Sequence, residues 1–323
     1  MTDEVFASVD LGGTNIKAAL GRADGTLLAT ESRPTCSHEG PQRVLDRIGG
    51  LVEDLCRSHG RGIAALGIAV PGLLDFERGR TLFLPNFPGK WRDVPVRDIL
   101  QPRLGCPVRM LNDVRTATLG ELCFGHGRTA RTMAFFAVGT GIGGGVVVDG
   151  KLHLGPLGAA GELGHHIIVP DGRRCGCGNR GCLETVASGP AIVGEGVRLL
   201  LTGIAPKLHE LTGGEPSRVT TKTMAEAALA GEETVAEAIR RAATYLGMAA
   251  VNVVVTLHPD LIVLGGGVAQ MGELLREPVE RTIHERVGMF PTDGVRVALS
   301  QLGDQAGILG GIALAAQAGG IEM

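Results

Sequence analysis

The stretch AFFAVGTGIGGGVVVDG, residues 134–150, decides the fold class. Gly139, Gly141 and Gly144 satisfy G-x-G-x-x-G, a pattern shared with dinucleotide-binding turns. A Rossmann site needs a helix directly after those glycines. Here residues 146–149, Val-Val-Val-Asp, follow and read as a strand, so that architecture is excluded. The chain contains no G-x-x-x-x-G-K-[ST], which excludes a P-loop fold. What remains is a hairpin whose glycines expose backbone N–H groups, with the Thr140 hydroxyl beside them. Such a turn can cradle phosphate oxygens, and a tight hairpin with no ligand has the same pattern.

The order recurs near the start of the chain. ASVDLGGTNIKAALGRADG, residues 7–25, reads strand, Gly12-Gly13-Thr14 turn, strand, Asp24-Gly25 turn; residues 134–150 read strand, Gly-Thr-Gly turn, strand, Asp149-Gly150 turn. Two such hairpins in two halves suggest duplicated lobes facing one cleft, although common turn chemistry alone produces the same echo. Asp10 closes the first strand, where a carboxylate can hold Mg²⁺ through water. A third glycine turn, residues 265–267, follows a third apolar strand.

The rest alternates strands with helices. Strands are expected over 5–10, 16–21, 26–31, 63–70, 107–111, 132–138, 146–149, 261–264 and 295–299, and helices over 43–59, 114–124, 233–257, 272–287 and 306–318. An irregular piece holds Pro85, Asn86, Pro88 and Trp91, and residues 203–217 read as a long surface loop. Alternation of this kind is α/β architecture.

Composition narrows the function classes. At 323 residues, 44% hydrophobic and 20% charged, the chain has the make-up of a soluble globular protein of about two domains. A net charge of −3 leaves no electrostatic footprint for nucleic acid or a membrane surface. The acidic start MTDEVFASVD is no signal peptide, and the longest apolar runs are broken by His258, Pro259 and Asp260. Cys36, Cys56, Cys106 and Cys123 are scattered, which predicts a reduced, cytoplasmic protein rather than a disulfide framework.

Residues 161–184, GELGHHIIVPDGRRCGCGNRGCLE, place His165, Cys175, Cys177 and Cys182 at H-x9-C-x-C-x4-C. Three thiolates and an imidazole suit tetrahedral Zn²⁺, and four protein ligands leave no position for a reacting water, so the zinc is expected to be structural. Gly176, Gly178 and Gly181 supply the tight turns, and Arg173, Arg174 and Arg180 offset the thiolate charge.

Asn112-Asp113 lies between a strand and a helix. Position alone fits a helix N-cap. It also fits a site in which Asp113 accepts a proton from a substrate hydroxyl while Asn112 binds a neighbouring one. Glu162, His165 and Glu184 flank the metal cluster, and a ligating imidazole can present its second nitrogen to a substrate. Carboxylates around one pocket suit a sugar; His166 reads as a bystander.

Taken together, these segments resemble the ROK family of sugar kinases and sugar-responsive repressors across essentially the whole chain. DLGGTNIKAAL (10–20) resembles its first phosphate motif, LNDVRTATLGE (111–121) its Asn-Asp segment, GTGIGGG (139–145) its second phosphate motif, LGGGV (264–268) its adenosine motif, and 161–184 its zinc signature. The resemblance implies an actin-like, ribonuclease H-like duplicated fold of two lobes with a cleft. Residues 1–115 would form a small α/β lobe, with a C-terminal helix 305–323 packed on it, and residues 116–304 a large lobe with the zinc loop. It implies Asp113 as general base. Asn112, Asp113, Glu162, His165, Glu184 and the Pro71-Gly72 turn would hold the sugar. Asp10, Gly12, Gly13, Thr14, Gly139, Thr140, Gly141, Gly265 and Gly266 would hold ATP with Mg²⁺, and His165, Cys175, Cys177 and Cys182 the zinc. Family fructokinases carry a second His in place of a Cys, so Cys-x-Cys favours the glucokinase-like branch. Family repressors carry a DNA-binding extension before the first motif, for which Asp10 leaves no room. The implied reaction is ATP-dependent phosphorylation of a hexose 6-hydroxyl, glucose first. Phosphorylation of N-acetylmannosamine or N-acetylglucosamine, or sugar sensing without turnover, stand as alternatives. A homo-oligomer is implied by analogy. Val114-Arg115-Thr116 departs from the small residues or Asn that many relatives carry after the Asp, which bears on substrate specificity.

Overall fold

The computed structural model describes residues 4–84, 86–317 and 320–322. Pro85 and residues 1–3, 318, 319 and 323, which the sequence assigned to the irregular piece, the small lobe and the C-terminal helix, lie outside the described residues. The chain opens with β1 (Phe6–Leu11), β2 (Asn15–Gly21), β3 (Leu27–Pro34), α1 (Pro41–His59), β4 (Leu66–Val70), β5 (Leu73–Asp75) and β6 (Arg80–Phe83). There follow α2 (Val96–Leu104), β7 (Val108–Asn112), α3 (Asp113–Phe124), β8 (Met133–Val138), β9 (Ile142–Val148) and β10 (Lys151–His153). Then come α4 (Glu184–Ala187), α5 (Gly189–Leu201), α6 (Pro206–Thr212), α7 (Thr221–Leu229) and α8 (Glu233–Leu257). The chain closes with β11 (Leu261–Gly265), α9 (Glu273–Arg286), β12 (Arg296–Leu299), α10 (Ala306–Ala316) and β13 (Gly320–Glu322). No helix among the described residues is long and apolar enough to cross a membrane.

The chain divides into two compact units: residues 1–130, 145–161 and 301–323, and residues 131–144 and 162–300. The first contains a five-stranded sheet ordered β3-β2-β1-β4-β7, in which β1 pairs antiparallel with β2 and parallel with β4. Strand alternation sets its layers. Val9 and Leu11 join Val44, Ile48, Leu51 and Leu55 of α1 in one core, while Phe6 packs with Ile312 and Ala315 of α10 in another. On the α10 side the spacing is set by glycine. A Cβ on Gly311 would lie 2.0 Å from Ser8 Oγ, and one on Gly67 would lie 2.1 Å from the Gly311 carbonyl oxygen. Sequence reasoning put the first boundary at residue 115, which falls inside α3; α3 is one helix packed along α10, so the compact unit carries on to residue 130.

In the second unit β12, β11 and β8 run parallel in that order, with α9 packed on β12, α8 on α9, and α4, α5 and α7 on α8. Gly247 of α8 admits Thr282 of α9, whose Cβ would come within 2.6 Å of an added side chain.

Three expectations give way. The surface loop 203–217 contains α6, which starts on Pro206 and stops at left-handed Gly213, with Leu208 and Thr212 buried. The irregular piece contains the β5–β6 hairpin and is followed by α2, which the sequence reading also passed over; α2 buries only Val96 and Leu100 and carries an internal Pro102, too little for a helical period to register. The expected helix 305–323 ends at Ala316, because Gln317 turns left-handed (φ 54°) and donates its N–H back to the Leu314 carbonyl.

Candidate functional site

In the first unit the geometry centres on the β7–α3 junction. Asn112 is the N-cap of α3: its Oδ1 accepts the N–H of Val114 (3.0 Å) and of Arg115 (3.3 Å), while its Nδ2 donates to the Gly72 carbonyl at 3.0 Å. Gly72 has a φ of 87°, so the Pro71-Gly72 turn can present that carbonyl only because no Cβ is there. Asp113 is the first helical residue, and its Oδ1 accepts the Val114 N–H at 2.9 Å. It keeps some solvent-accessible surface yet lies deep among protein atoms, and this burial, with Asp10 adding repulsion, pushes its carboxyl up to about 6 against the opposing pull of the Val114 N–H and Arg115. A carboxyl poised there is a base near neutral pH and can still be protonated just below it.

Asp10 is the next-to-last residue of β1, and burial raises its carboxyl against the opposing pull of Lys17. The turn after it is tight. Gly12 N–H donates to the Asn15 carbonyl at 3.0 Å, and a Cβ on Gly12 would lie 2.7 Å from that oxygen. Gly13 has open space where a Cβ would go, and Thr14 is exposed. The backs of this turn are tied down by Thr35, whose N–H donates to Thr14 O and whose hydroxyl donates to Gly12 O at 2.6 Å.

In the second unit the glycine turn after β8 is fastened at several points. Gly139 N–H donates to the Gly141 carbonyl, and Gly189 N–H donates to the Gly139 carbonyl, both at 2.8 Å. Ile142 N–H donates to Glu184 Oε2 at 3.0 Å. The N–H of Gly139, expected to face a phosphate, is therefore spent within the protein, as is that of the neighbouring Ile142. A Cβ on Gly141 would lie 2.3 Å from Glu184 Oε2, so a larger residue here would displace that carboxylate. At the end of β11, Gly265 crosses the Phe135 ring and Gly266 (φ 81°) crosses the Val138 carbonyl, with a Cβ placed at 2.6 and 2.5 Å respectively. The glycines at 139–141 and 265–266 thus end adjacent strands β8 and β11.

The metal cluster of the sequence reading is assembled. The ligand atoms of His165, Cys175, Cys177 and Cys182 lie within 4.8 Å of one another. Cys177 Sγ is 3.7 Å from Cys182 Sγ, and Cys175 Sγ is 3.7 Å from His165 Nδ1. A tetrahedral ion with Zn–S bonds of about 2.3 Å has ligand–ligand edges of about 3.8 Å, so the donors fit zinc. Burial and the neighbouring thiols push Cys182 up to about 12, while the Asn179 N–H lowers the exposed Cys177, so Cys182 is the thiol that needs a cation to hold its charge. His165 offers Nδ1 to this cluster and turns Nε2 toward Glu162, 3.9 Å away. Glu184 Oε1 lies 3.7 Å from Cys175 Sγ, which joins cluster, carboxylate and glycine turn in one unit. Of the three arginines, Arg180 spends its guanidinium on the Gly172 carbonyl at 3.4 Å.

Sequence reasoning passed over Gly164 and Gly189, which shape these pieces, and marked Arg115 only as a departure bearing on specificity, not as a buried residue. Gly164 approaches the Ile142 carbonyl so closely that a Cβ would lie 1.8 Å from it, and Gly189 anchors the glycine turn. Arg115 is 2% exposed and faces inward. Nothing in a single sequence distinguishes these glycines from the others, and an arginine in an amphipathic helix reads as a surface charge.

Known proteins carry the same fold. A glucokinase from Thermotoga maritima is 35% identical over 305 residues, covering 94% of each chain. An N-acetylmannosamine kinase from Escherichia coli is 32% identical over 309 residues, 95% of this chain and 97% of that one. A ROK family glucokinase from Streptomyces griseus, crystallised with glucose and AMPPNP, superposes with a TM-score of 0.83 at 32% identity, covering 97% of this chain and 99% of the other. The fold is the actin-like sugar kinase fold. The ROK family model matches residues 6–318, and with relatives this similar over this length the chain belongs to the ROK family.

Proposed function

We propose that this protein transfers the γ-phosphoryl group of ATP to the 6-hydroxyl of a hexose, glucose before others. The observation that carries the reading is Asp113: a carboxyl held at the start of α3, pushed up to about 6 and fixed beside the Asn112 cap. Phosphoryl transfer asks little covalent chemistry of a protein and much positioning. Asp113 orients the attacking hydroxyl and takes its proton late, a contribution of roughly 10²–10⁴-fold. Asn112, Glu162, Glu184, His165 Nε2 and the Gly72 turn receive the remaining sugar hydroxyls. The turns at 12–14 and 139–141 would hold the phosphates, Gly265 and Gly266 the adenosine end, and Asp10 the Mg²⁺ that neutralises phosphate charge.

His165, Cys175, Cys177 and Cys182 would hold a zinc ion whose part is structural, ordering the loop between Glu162 and Glu184. With all four ligands from protein, that loop presents no metal-bound water. The free cysteines fit a cytoplasmic enzyme, and a homo-oligomer is inferred by analogy with the family.

Phosphorylation of an N-acylated hexosamine is the second reading, favoured by the similarity to the Escherichia coli N-acetylmannosamine kinase. The test is ADP release with Mg-ATP across glucose, mannose, fructose, N-acetylglucosamine and N-acetylmannosamine. A kcat/KM highest for glucose supports the proposal. Dominance of an N-acetyl sugar moves it to the second reading, and no turnover with any of them overturns both in favour of a sensor.

A further inference from the structure

Residues 155–161 leave β10 and lead directly into Glu162. They form no sheet, and Gly155, Leu157, Gly158 and Gly161 all have positive φ, at 62°, 62°, 65° and 87°. For Leu157, a residue with a side chain and 70% exposed, that conformation carries backbone strain and persists only where neighbours hold it. Local hydrogen bonds hold part of it: Gly158 N–H donates to Gly155 O, and Ala160 N–H to Leu154 O. The carbonyls of Ala159 and Ala160 are held from elsewhere, by Arg115.

Arg115 Nε and Nη2 donate to Ala160 O at 3.1 and 2.9 Å, and Nη2 also reaches Ala159 O at 3.4 Å. Its Nη1 donates to Asn112 Oδ1 at 3.2 Å. A buried guanidinium is costly unless its donors are matched, and this planar fork spends them on two separate pieces of the site. One is the cap that sets Asn112 and the start of α3. The other is the peptide two residues ahead of Glu162.

We infer that Arg115 is a positioning residue that fixes the backbone from which Glu162 projects to the Asn112 cap, so that sugar ligands from distant parts of the chain are set by one side chain. The sugar part of this inference rests on the proposed function; the clamp does not. It also gives the departure after Asp113 a physical content. An Asn at 115 would be too short to span to the Ala159 and Ala160 carbonyls as arginine does.

The test compares R115K, which keeps the charge and loses the fork, with R115M, which loses both. Amide hydrogen exchange over residues 158–163 reads the clamp without any substrate, and should be at least 10-fold faster in R115K than in the parent. In the sugar kinase assay R115K should raise the KM for sugar about 10-fold or more while the KM for ATP stays within about 2-fold. Asp113 is faced by Asp10 from β1 and by Arg115 on its own helix, so R115M should also move the acid limb of kcat/KM upward, while R115K leaves it in place. Unchanged exchange in R115K overturns the clamp, and equal rises in both KM values overturn the positioning role. If the parent phosphorylates no sugar the functional reading fails, and exchange alone still decides the clamp.

Discussion

Glu184 Oε2 accepts the backbone N–H of Ile142 at 3.0 Å, so a carboxylate proposed to bind sugar is also the fastening of the glycine turn proposed to bind phosphate. A charge-assisted bond of this kind is worth roughly 1.5–3 kcal/mol, a factor of about 10–100 in an equilibrium. E184A should therefore raise the KM for ATP as well as for sugar, by about 10-fold or more. In E184Q the amide oxygen can still accept from Ile142, so its KM for ATP should stay within about 2-fold of the parent while sugar binding weakens. Steady-state kinetics with each substrate varied in turn distinguish the two, and an E184A variant with an unchanged KM for ATP would refute the coupling.

Asp113 makes two opposite predictions for one substitution. As general base it must be ionised, so kcat/KM should fall as pH drops below about 6, and D113N should lose roughly 10²–10⁴ in turnover. The same raised pKa means the fold disfavours the carboxylate relative to the unfolded chain. That cost is present above the folded value of about 6 and is relieved as pH falls through it toward the unfolded value. D113N removes the cost, which is on the order of 2 kcal/mol after allowing for the remaining solvent contact of the group. The variant should melt several degrees above the parent at pH 7.5, keep only part of that advantage near pH 4.5, and lose it below the unfolded value of 3.8. Equal melting temperatures at pH 7.5 would mean that the site does not strain the carboxylate.

How much of this was legible in advance depended on repetition and on chemistry. Helix α8 was readable from end to end because its apolar residues recur over seven turns, and the metal cluster because thiols at short spacing have few other uses. Helix α6 was not, because seven residues with Leu208 and Thr212 buried give no period to detect. The close approach of Gly164 to Ile142 and the inward turn of Arg115 were hidden for a different reason. Each depends on a segment distant in sequence, and neither changes the local pattern that a single sequence displays.

The loop between Glu162 and Glu184 contains little regular structure, so its order should depend on the proposed zinc. An ion held by three thiolates and an imidazole can contribute on the order of 10 kcal/mol of apparent binding energy to folding its loop. C177S removes the exposed ligand and least disturbs the packing of Cys175 and Cys182, which are buried. The purified variant should lack zinc by elemental analysis and show a KM for sugar raised at least 10-fold. Through the Cys175–Glu184–Ile142 chain of contacts, its KM for ATP should rise as well. Parental sugar affinity in zinc-free protein would separate the metal from the site.

The crossing of α3 and α10 places Asp113 from behind. A Cβ on Gly310 would lie 1.8 Å from the Thr116 carbonyl, and one on Gly120 would lie 2.4 Å from the Ala306 carbonyl, so the two helices meet backbone to backbone. Thr116 in turn bonds the Asn112 carbonyl through its hydroxyl at 2.8 Å, so any shift at residue 116 is passed to the cap beside Asp113. Alanine is the better helix former, and at an unobstructed helical glycine it stabilises by about 0.5–1 kcal/mol. Gly194 of α5 is such a position, exposed and with open space at its Cβ, so G194A should melt at or slightly above the parent. At Gly310 the backbone must move instead, at a cost of about 1–3 kcal/mol or more. G310A should therefore melt lower by on the order of 5–10 °C and lose kcat by at least about 10-fold, with a smaller change in KM. If G310A behaves like G194A in both melting and turnover, the helix crossing does not set the position of the base.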